Sequence, residues 1–414
     1  MSSVPSDPRA SAIQPKQQLW IHLWLASAAA FFLVAGIALF RQATYPDFAH
    51  FYAQGCLVLR YPASEFYKPE IQGKVQQEIF GPMLYGGNVM PFIHPPFLLA
   101  LLVPLACLPY DQARTIWVLI NLGLLPLVAS LFFRISPNSL GKTKLTVFLA
   151  SLAFYPFVVC IWQGQMSLLV LCFLTLSYFS LRTGRDFRAG VFLGLAFVKF
   201  QLVYLIVGLL LLKRRFNALR GFALSFGLLA LISALWLGQA GLESYLSLLM
   251  RMSHSNGFVV QSPGRMQNWI GQIYLLGYRD AYNPSTSVMV AGLGLGLVIF
   301  LWRGRWQPSE PHFGLRFAAT IFISLLASPY LLIHDLSLAF LPLMLCVEWF
   351  LETRISNWAA LALAAVLLVS PLVWFASLLV AVHFPVQASV IWITLAFGLS
   401  LFILRRTCGG VSAL

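Results

Sequence analysis

The chain has 414 residues, of which 59% are hydrophobic and only 10% are charged, and its formal net charge is +14. Because a soluble domain usually carries about 25% charged residues, the composition excludes an ordinary soluble protein. The positive charge does not indicate a nucleic-acid partner, since the lysines and arginines lie in short clusters between apolar runs. Such clusters are typical of the cytoplasmic loops of membrane proteins.

A short polar segment stands at each end of one long apolar body. Residues 1–18 contain three prolines and are predicted to be a disordered cytoplasmic tail, and residues 405–414 are predicted to be a second tail. Between them, residues 19–404 are predicted to form a single polytopic membrane domain of the all-α class. The predicted spans are Leu19–Phe40, Gln112–Phe133, Leu145–Trp162, Ser167–Leu181, Asn217–Leu237, Ser287–Trp302, Phe313–Ala327, Leu331–Phe350, Asn357–Trp374 and Ala388–Leu404.

Two long polar segments, residues 41–111 and 238–285, are predicted to be outer loops. The first contains the stretches Phe48–Arg60 and Ser64–Phe80, whose mixture of aromatic and charged residues suits helices at the membrane surface. Its apolar piece Phe92–Pro109 contains four prolines and is predicted to dip into the membrane without crossing it. A full crossing there would place the next basic cluster outside, against the positive-inside rule.

The apolar stretch Ala189–Leu212 is interrupted by one charged residue, Lys199, and has basic clusters before and after it. If both clusters are cytoplasmic, the stretch enters the membrane and returns as two short helices, with Lys199 at their outer turn. The chain then has about twelve membrane segments and both termini inside. Eighteen lysines and arginines fall on the cytoplasmic side in this topology, against eight outside.

Ionisable residues near membrane depth are costly and therefore indicate functional sites. Asp47, His94, Lys199 and the pair His334–Asp335 meet this description, and the topology places all of them near the outer face. Each also has a local alternative role. Asp47 and Asp335 suit helix caps. His94 suits a turn before two prolines, and Lys199 suits a side chain that reaches toward the interface.

Taken together, these residues provide the groups for acid–base chemistry on an anionic, lipid-linked substrate. A carboxylate can take the proton of an attacking hydroxyl. Lysine and histidine can stabilise a phosphate that leaves with developing negative charge. The aromatic residues around Asp47 suit sugar stacking, and they equally suit ordinary anchoring at the interface.

Six segments, in this order, resemble the polytopic GT-C glycosyltransferases of glycosyltransferase family 87. They extend over most of the chain, from about residue 40 to 340, and their order and spacing are more specific than any one of them. The segments are PDFAHFYAQG (46–55), HPPFLLALLVPLACLP (94–109), WQGQMSLLVL (162–171), AGVFLGLAFVKFQL (189–202), RMQNWIGQ (265–272) and SPYLLIHDL (328–336).

The resemblance implies an inverting enzyme that uses a polyprenyl-phosphate sugar, typically mannose, on the outer face. In that case Asp47 matches the catalytic aspartate that acts as general base, and His334 matches a histidine near the donor phosphate. Lys199 falls at a broken-helix lysine expected to contact the phosphate, and Arg265 is a further candidate. Position 167 is Ser where the resemblance predicts Asn.

The motif residues expected to contact substrate are Tyr52, His94, Gln165, Asn268 and Asp335. No metal is expected, because the first loop has Asp47 without a second carboxylate in a DxD pair. No other cofactor is expected, and a nucleotide-sugar donor is disfavoured because no Rossmann-like soluble domain is present. The six cysteines have neither CxxC nor metal-like spacing, and no disulfide is predicted.

The predicted partners are a polyprenyl-phosphate-linked donor, a lipid or glycan acceptor and the surrounding membrane lipids. The predicted location is the bacterial plasma membrane, with the site facing the periplasm or the cell exterior. Two alternatives remain open from the sequence. A transporter or flippase would use the same basic residues without a carboxylate base, and a glycan polymerase would have a much larger outer loop.

Overall fold

The computed structural model consists of helices joined by turns, and no strand occurs among the residues it describes. The described residues are 22–31, 33–34, 46–82, 89–135, 148–149, 151–254, 263–278, 280–353, 362–363, 365–366, 369–370, 372–373 and 386–408. The predicted all-α class is therefore confirmed for this part of the chain. Most of both predicted tails, residues 1–18 and 405–414, lies outside the described residues.

We number the α-helices of the described residues in chain order. They are α1 (His22–Phe31), α2 (Pro46–Arg60), α3 (Pro69–Phe80), α4 (Leu99–Ala106), α5 (Tyr110–Ile135), α6 (Tyr155–Gln163), α7 (Ser167–Arg182), α8 (Asp186–Ala196), α9 (Phe200–Leu212), α10 (Phe216–His254), α11 (Trp269–Leu275), α12 (Pro284–Leu301), α13 (Pro311–Leu326), α14 (Phe340–Thr353) and α15 (Ala388–Cys408). Helix α10 is kinked at Gly238, whose φ of 61° and ψ of −174° are not helical. Short 3₁₀ turns link several of them, at Ala63–Glu65, Pro96–Leu98, Phe197–Lys199, Pro263–Arg265 and Ile333–Ala339.

Six helical stretches of the described chain are long and apolar enough to cross a membrane. They are Tyr110–Arg134, Asp186–Leu212, Phe216–Arg251, Pro284–Leu301, Ile333–Phe350 and Ala388–Arg405. The chain is therefore a membrane protein by the length and composition of its helices. The predicted count of about twelve segments stays a prediction, and most of the predicted span Asn357–Trp374 lies outside the described residues.

The spans differ strongly in how far the protein itself covers them. On α10 the side chains of Leu224, Leu228, Leu231 and Leu235 are all exposed and lie three or four residues apart, so they form one apolar stripe. Such a stripe suits contact with lipid tails. By contrast, 83% of Ile333–Phe350 is buried inside the protein, so this element forms the centre of the bundle.

The segment over residues 92–109 contains no helix long enough to cross a membrane, as predicted. It forms the 3₁₀ turn Pro96–Leu98 and the eight-residue helix α4. Helix α2 lies directly on α4, because a Cβ atom at Gly55 would stand only 2.8 Å from the carbonyl oxygen of Leu102. The two predicted surface helices are present as α2 and α3, while their position at the outer face stays a prediction.

The predicted span Leu145–Trp162 is wrong as a continuous helix. Residues 153 and 154 form a turn, and the nine-residue α6 begins only at Tyr155. Pro156 occupies the first turn of α6, where its missing N–H is tolerated. Within a continuous helix it could not donate to the carbonyl oxygen four residues earlier, and its ring would clash with that oxygen. The proline therefore starts a new helix instead of continuing the previous one.

Helices α8 and α9 confirm the predicted pair of short helices around Lys199. The 3₁₀ turn Phe197–Lys199 joins them, and Lys199 lies at its end. Asp186, at the start of α8, forms an ion pair with Arg215, which follows α9. Since these two residues meet, the chain must enter the bundle and return, although 27 residues would be enough to cross it once.

Basic residues from separate loops gather at one end of the bundle, which we call the basic end and define by Arg182, Lys213 and Arg215. Arg182 lies 3.7 Å from Glu348, and Lys213 donates to the carbonyl oxygen of Gly304 at 2.7 Å. Helix α7 runs from Ser167 to Arg182, and at ~1.5 Å per residue this places Ser167 about 22 Å from the basic end. The predicted topology places all three basic residues on the same side of the membrane. That this side is the cytoplasm stays a prediction.

Candidate active site

Asp47 lies in the first turn of α2 and is 2% exposed. Its Oδ2 atom accepts a hydrogen bond from Nε2 of Gln165 at 2.9 Å. Gln165 can approach this closely because Gly164 turns the chain with a φ of +70°, and a Cβ atom there would stand 2.6 Å from Phe48. Asp47 therefore lies inside the helix rather than before it as an N-cap, and its carboxylate faces another segment.

Lys199 is buried and paired, with 4% of its surface exposed. Its Nζ atom lies 2.6 Å from Oδ1 of Asp335, which is 1% exposed. The alternative of a lysine that reaches toward the interface is therefore wrong. A lysine is almost never buried unless it is paired, and Asp335 provides the pairing charge.

Two further oxygens complete the surroundings of Lys199. Its Nζ atom donates to Oε1 of Gln165 and to Oγ of Ser167, both at 2.9 Å. The Ser167 hydroxyl in turn donates to Oδ1 of Asp335 at 2.7 Å. Asp335 lies inside the 3₁₀ turn Ile333–Ala339 rather than before it as an N-cap, and its second oxygen accepts the main-chain N–H of the N-cap residue Leu332 at 3.2 Å.

His334 lies between the two carboxylates and is 3% exposed. Its Nε2 atom is 3.5 Å from Oδ2 of Asp335, and its Nδ1 atom is 3.9 Å from Oδ2 of Asp47. Nδ1 also meets Oε1 of Gln163 at 2.5 Å. The ring therefore faces a carboxylate from each of its two nitrogens and an amide from one of them.

His94 packs beside this network in an aromatic cluster. Its ring centroid lies 5.1 Å from Phe51, 5.2 Å from Phe92 and 6.3 Å from His50. Burial lowers the pKa of His94 well below its ordinary value, and the neighbouring His50 and Lys199 act in the same direction. His94 is therefore a neutral ring at physiological pH, close enough to Lys199 to be influenced by its charge.

The pKa of Asp47 is raised from 3.8 to about 6. Burial is the main cause, because a carboxylate loses its hydration inside the protein. The hydrogen bond from Gln165 and the charge of Lys199 lower the pKa and so oppose this shift. A carboxylate with a pKa near 6 is ionised at neutral pH and is a better proton acceptor than an exposed aspartate.

The remaining predicted residues are not joined to this network by described hydrogen bonds. The Tyr52 hydroxyl donates to the carbonyl oxygen of Leu108 at 2.7 Å. Asn268 caps α11, accepting the N–H of Gly271 at 2.8 Å, and it donates to the carbonyl oxygen of Ser328 at 2.7 Å. Arg265 is exposed in the 3₁₀ turn Pro263–Arg265.

The turn that carries Arg265 is nevertheless anchored to the chain that leads into the site. The main-chain N–H of Gln267 donates to the carbonyl oxygen of Leu331 at 2.8 Å, three residues before His334. Together with the bond from Asn268 to Ser328, this contact holds residues 263–268 against residues 328–331. Arg265 and His334 therefore belong to adjoining segments.

Two members of the site were not predicted by sequence reasoning. Gln163 contacts His334, and Ser167, noted only as a departure from the expected Asn, bonds both Lys199 and Asp335. A signal for both was available. Polar residues occupy positions 163, 165 and 167 on either side of Gly164, between two apolar runs. Among the described residues, no group of His, Cys, Asp and Glu side chains could hold a metal ion.

The fold and the site define a helical membrane protein with a buried network of two carboxylates, a lysine and a histidine. The family model described as Glycosyltransferase family 87 matches residues 92–329, more than half of the chain. The chain therefore belongs to glycosyltransferase family 87, and it is a glycosyltransferase. No curated protein and no solved structure matches it.

The matched region contains part of the site and not all of it. Gln165 and Lys199 lie within residues 92–329, whereas Asp47, His334 and Asp335 lie outside them. The family match therefore supports the class of reaction. The role of Asp47 depends on the geometry that brings it to Gln165.

Proposed function

We propose that this glycosyltransferase moves a sugar, mannose, from a polyprenyl-phosphate-linked donor to a lipid or glycan acceptor with inversion at the anomeric carbon. The observation that carries the proposal is the buried Asp47 carboxylate, with a pKa of about 6, held 2.9 Å from Gln165 inside a helical membrane bundle. A donor on a polyprenyl chain can reach such a site from the lipid phase. The family membership supports sugar transfer as the reaction.

The proposed reaction is a single displacement. The acceptor hydroxyl attacks the anomeric carbon while Asp47 takes its proton, so the new C–O bond and the O–H bond change together. The bond between the anomeric carbon and the phosphate oxygen breaks on the opposite face, and the polyprenyl phosphate leaves with the electron pair. Attack from the face opposite the leaving group inverts the anomeric carbon.

We propose that His334 and Arg265 stabilise the departing phosphate. The His334 ring has one hydrogen-bond contact, with the Gln163 amide, which it would exchange for the phosphate, and Arg265 stands exposed on the turn anchored to residues 328–331. A cationic or N–H group that meets charge developing in the transition state lowers the barrier. Lys199 was predicted at the phosphate too, but its three hydrogen-bond donors all face protein oxygens.

We propose that the active site opens to the outer face of the bacterial plasma membrane. The basic end, formed around Arg182, lies at one end of α7, and Ser167 of the site lies at the other. Short loops rich in Lys and Arg stay in the cytoplasm. The carboxylates would then be on the periplasmic or exterior side, where polyprenyl-phosphate sugars are used.

The proposal is tested with purified protein in nanodiscs and polyprenyl-phosphate-[³H]mannose. We expect label to move to an added lipid or glycan acceptor, and NMR of the product to show the anomeric configuration opposite to that of the donor. Retained configuration would refute the inverting mechanism. Transfer from nucleotide sugars alone would refute the polyprenyl-phosphate sugar as the donor. In proteoliposomes, movement of the donor between leaflets without transfer would support a flippase instead.

A further inference from the structure

The contacts of Lys199 leave none of its N–H groups unused. A lysine ammonium has three N–H donors and no acceptor. Those of Lys199 meet Oε1 of Gln165 and Oγ of Ser167 at 2.9 Å, and Oδ1 of Asp335 at 2.6 Å. A donor phosphate could bind Lys199 only by displacing one of these oxygens from a buried position.

The charge of Lys199 is also balanced where it lies. Asp335 forms a one-to-one ion pair with it, and both side chains are almost completely buried. Ser167 bridges the pair, because its hydroxyl accepts from Lys199 and donates to Asp335. The pair therefore presents little net positive charge to an anionic substrate.

The ammonium of Lys199 decides which way the amide of Gln165 faces. Because an ammonium only donates, the Gln165 atom beside it must be the carbonyl oxygen. The other end of the amide, the Nε2 donor, then points away from Lys199. This Nε2 atom lies 2.9 Å from Oδ2 of Asp47. An ionised carboxylate has no proton to donate, so Oδ2 accepts the hydrogen bond. Lys199 thus orients Gln165, and Gln165 holds Asp47.

We propose that Lys199 and Gln165 are positioning residues that hold the Asp47 carboxylate for proton transfer, and that Lys199 does not bind the donor phosphate. This inference rests on the proposed function of Asp47 as the general base. Gln165 occupies the Oδ2 atom of Asp47 and leaves Oδ1 for the acceptor hydroxyl. The contacts join four segments of the chain, and separations of 118 and 136 residues lie between Asp47 and Gln165 and between Lys199 and Asp335.

The proposal predicts a change in pH dependence that a purely structural role would not cause. The Gln165 hydrogen bond and the Lys199 charge both lower the pKa of Asp47, whereas the Asp335 charge raises it. The His334 ring also faces Asp47, with Nδ1 at 3.9 Å from Oδ2, and every variant below keeps it. When the Gln165 hydrogen bond or the Lys199 charge is removed, Asp47 holds its proton at higher pH. Because a general base must be deprotonated to act, the acidic limb of the kcat/KM profile moves to higher pH.

The test compares Gln165→Met and Lys199→Met with the unmodified protein in nanodiscs. A hydrogen bond to a charged group is worth enough to shift a pKa by about 1 to 2 units, so we expect the acidic limb to rise by that amount in Gln165→Met. We expect kcat to fall in both variants. Affinity for polyprenyl phosphate, measured by direct binding, is expected to stay within about twofold of the unmodified protein.

Gln76→Met is the matched control. Gln76 is another buried glutamine, and its amide bonds both the N–H and the carbonyl oxygen of Met90. This control should lower thermal stability without moving the acidic limb. Because Lys199→Met leaves Asp335 unpaired, Lys199→Met/Asp335→Asn removes both charges if the single variant does not fold. The charges of Lys199 and Asp335 act on the pKa of Asp47 in opposite directions, so this variant is judged by its affinity for polyprenyl phosphate, and a tenfold loss would overturn the inference.

Separate outcomes distinguish this inference from the function on which it rests. A tenfold loss of polyprenyl-phosphate affinity in Lys199→Met, with an unchanged pH profile, would return Lys199 to the phosphate and overturn the inference. A normal profile and normal kcat in Gln165→Met would overturn it as well. Normal turnover in Asp47→Asn would instead overturn the base assignment itself.

Discussion

Replacing Asp47 with Asn tests the general base directly. Asn keeps the size of the side chain, and its amide oxygen can still accept the 2.9 Å hydrogen bond from Gln165. It cannot take a proton from the acceptor. Acid–base catalysis contributes about 10²–10⁴-fold to a rate, so we expect transfer to fall by at least that range.

The same substitution is expected to leave the fold at least as stable at pH 7. Folding raises the pKa of Asp47 from 3.8 to about 6, so the folded state binds this proton more tightly than the unfolded state. Ionisation of Asp47 therefore destabilises the fold increasingly from about pH 4 to pH 6, and the full cost applies above pH 6. At ~1.36 kcal/mol per unit, that cost is roughly 3 kcal/mol, and Asn avoids it.

The assay is the initial rate of labelled mannose transfer at pH 7, together with the melting temperature of each protein in nanodiscs. Asp111→Asn is the matched control, because Asp111 lies exposed in the first turn of α5, outside the site. That control should keep normal transfer. Near-normal transfer in Asp47→Asn would refute the base assignment. Lost transfer with a lower melting temperature would support a structural role for the carboxylate instead.

Three further outcomes follow from the structure. The kcat/KM of the unmodified protein should fall as the pH drops through about 6, because Asp47 takes up its proton there, and a profile that stays flat down to pH 5 would contradict this. Asp335→Asn should lower the free energy of unfolding by about 3–5 kcal/mol in chemical denaturation, since it leaves the buried charge of Lys199 unpaired. Unchanged stability would show that the pair does not form. Single cysteines introduced at Ser64 and Thr183, in a background without native cysteines, should differ in how they are labelled in intact cells. A membrane-impermeant maleimide should label the first from outside and not the second, and labelling of Thr183 would reverse the proposed orientation.

The re-entrant pair of helices is the part of the fold that sequence reasoning predicted best. Its evidence was local, because a single lysine interrupts an apolar run that has basic clusters on both sides. The ion pair between Asp186 and Arg215 confirms that the chain returns to the end where it entered. The prediction of a continuous helix over Leu145–Trp162 was wrong. It relied on the apolar composition of the stretch and did not allow for Pro156, which lies in the first turn of a new helix.

Within the site, the sequence indicated which residues to consider but not how they are connected. Asp47, Lys199, His334 and Asp335 were candidates because ionisable groups are costly near membrane depth. Their local alternatives had different outcomes. Lys199 is buried and paired rather than directed to the interface. Asp335 is not the N-cap of its turn, but it accepts the N–H of the N-cap residue Leu332 and also binds Lys199.

The sequence by itself determined that this is a helical membrane protein, that Lys199 lies at a turn between two short helices, and which ionisable residues are candidates for the site. These conclusions follow from hydropathy, charge and proline positions, which act over a few residues. Only the tertiary structure decided that Ser167 and Gln165 accept hydrogen bonds from the ammonium of Lys199 and that Gln165 donates one to Asp47. Those contacts join residues 32 to 118 positions apart, so they depend on how the helices pack and on which hydrogen-bond donors remain once they have packed.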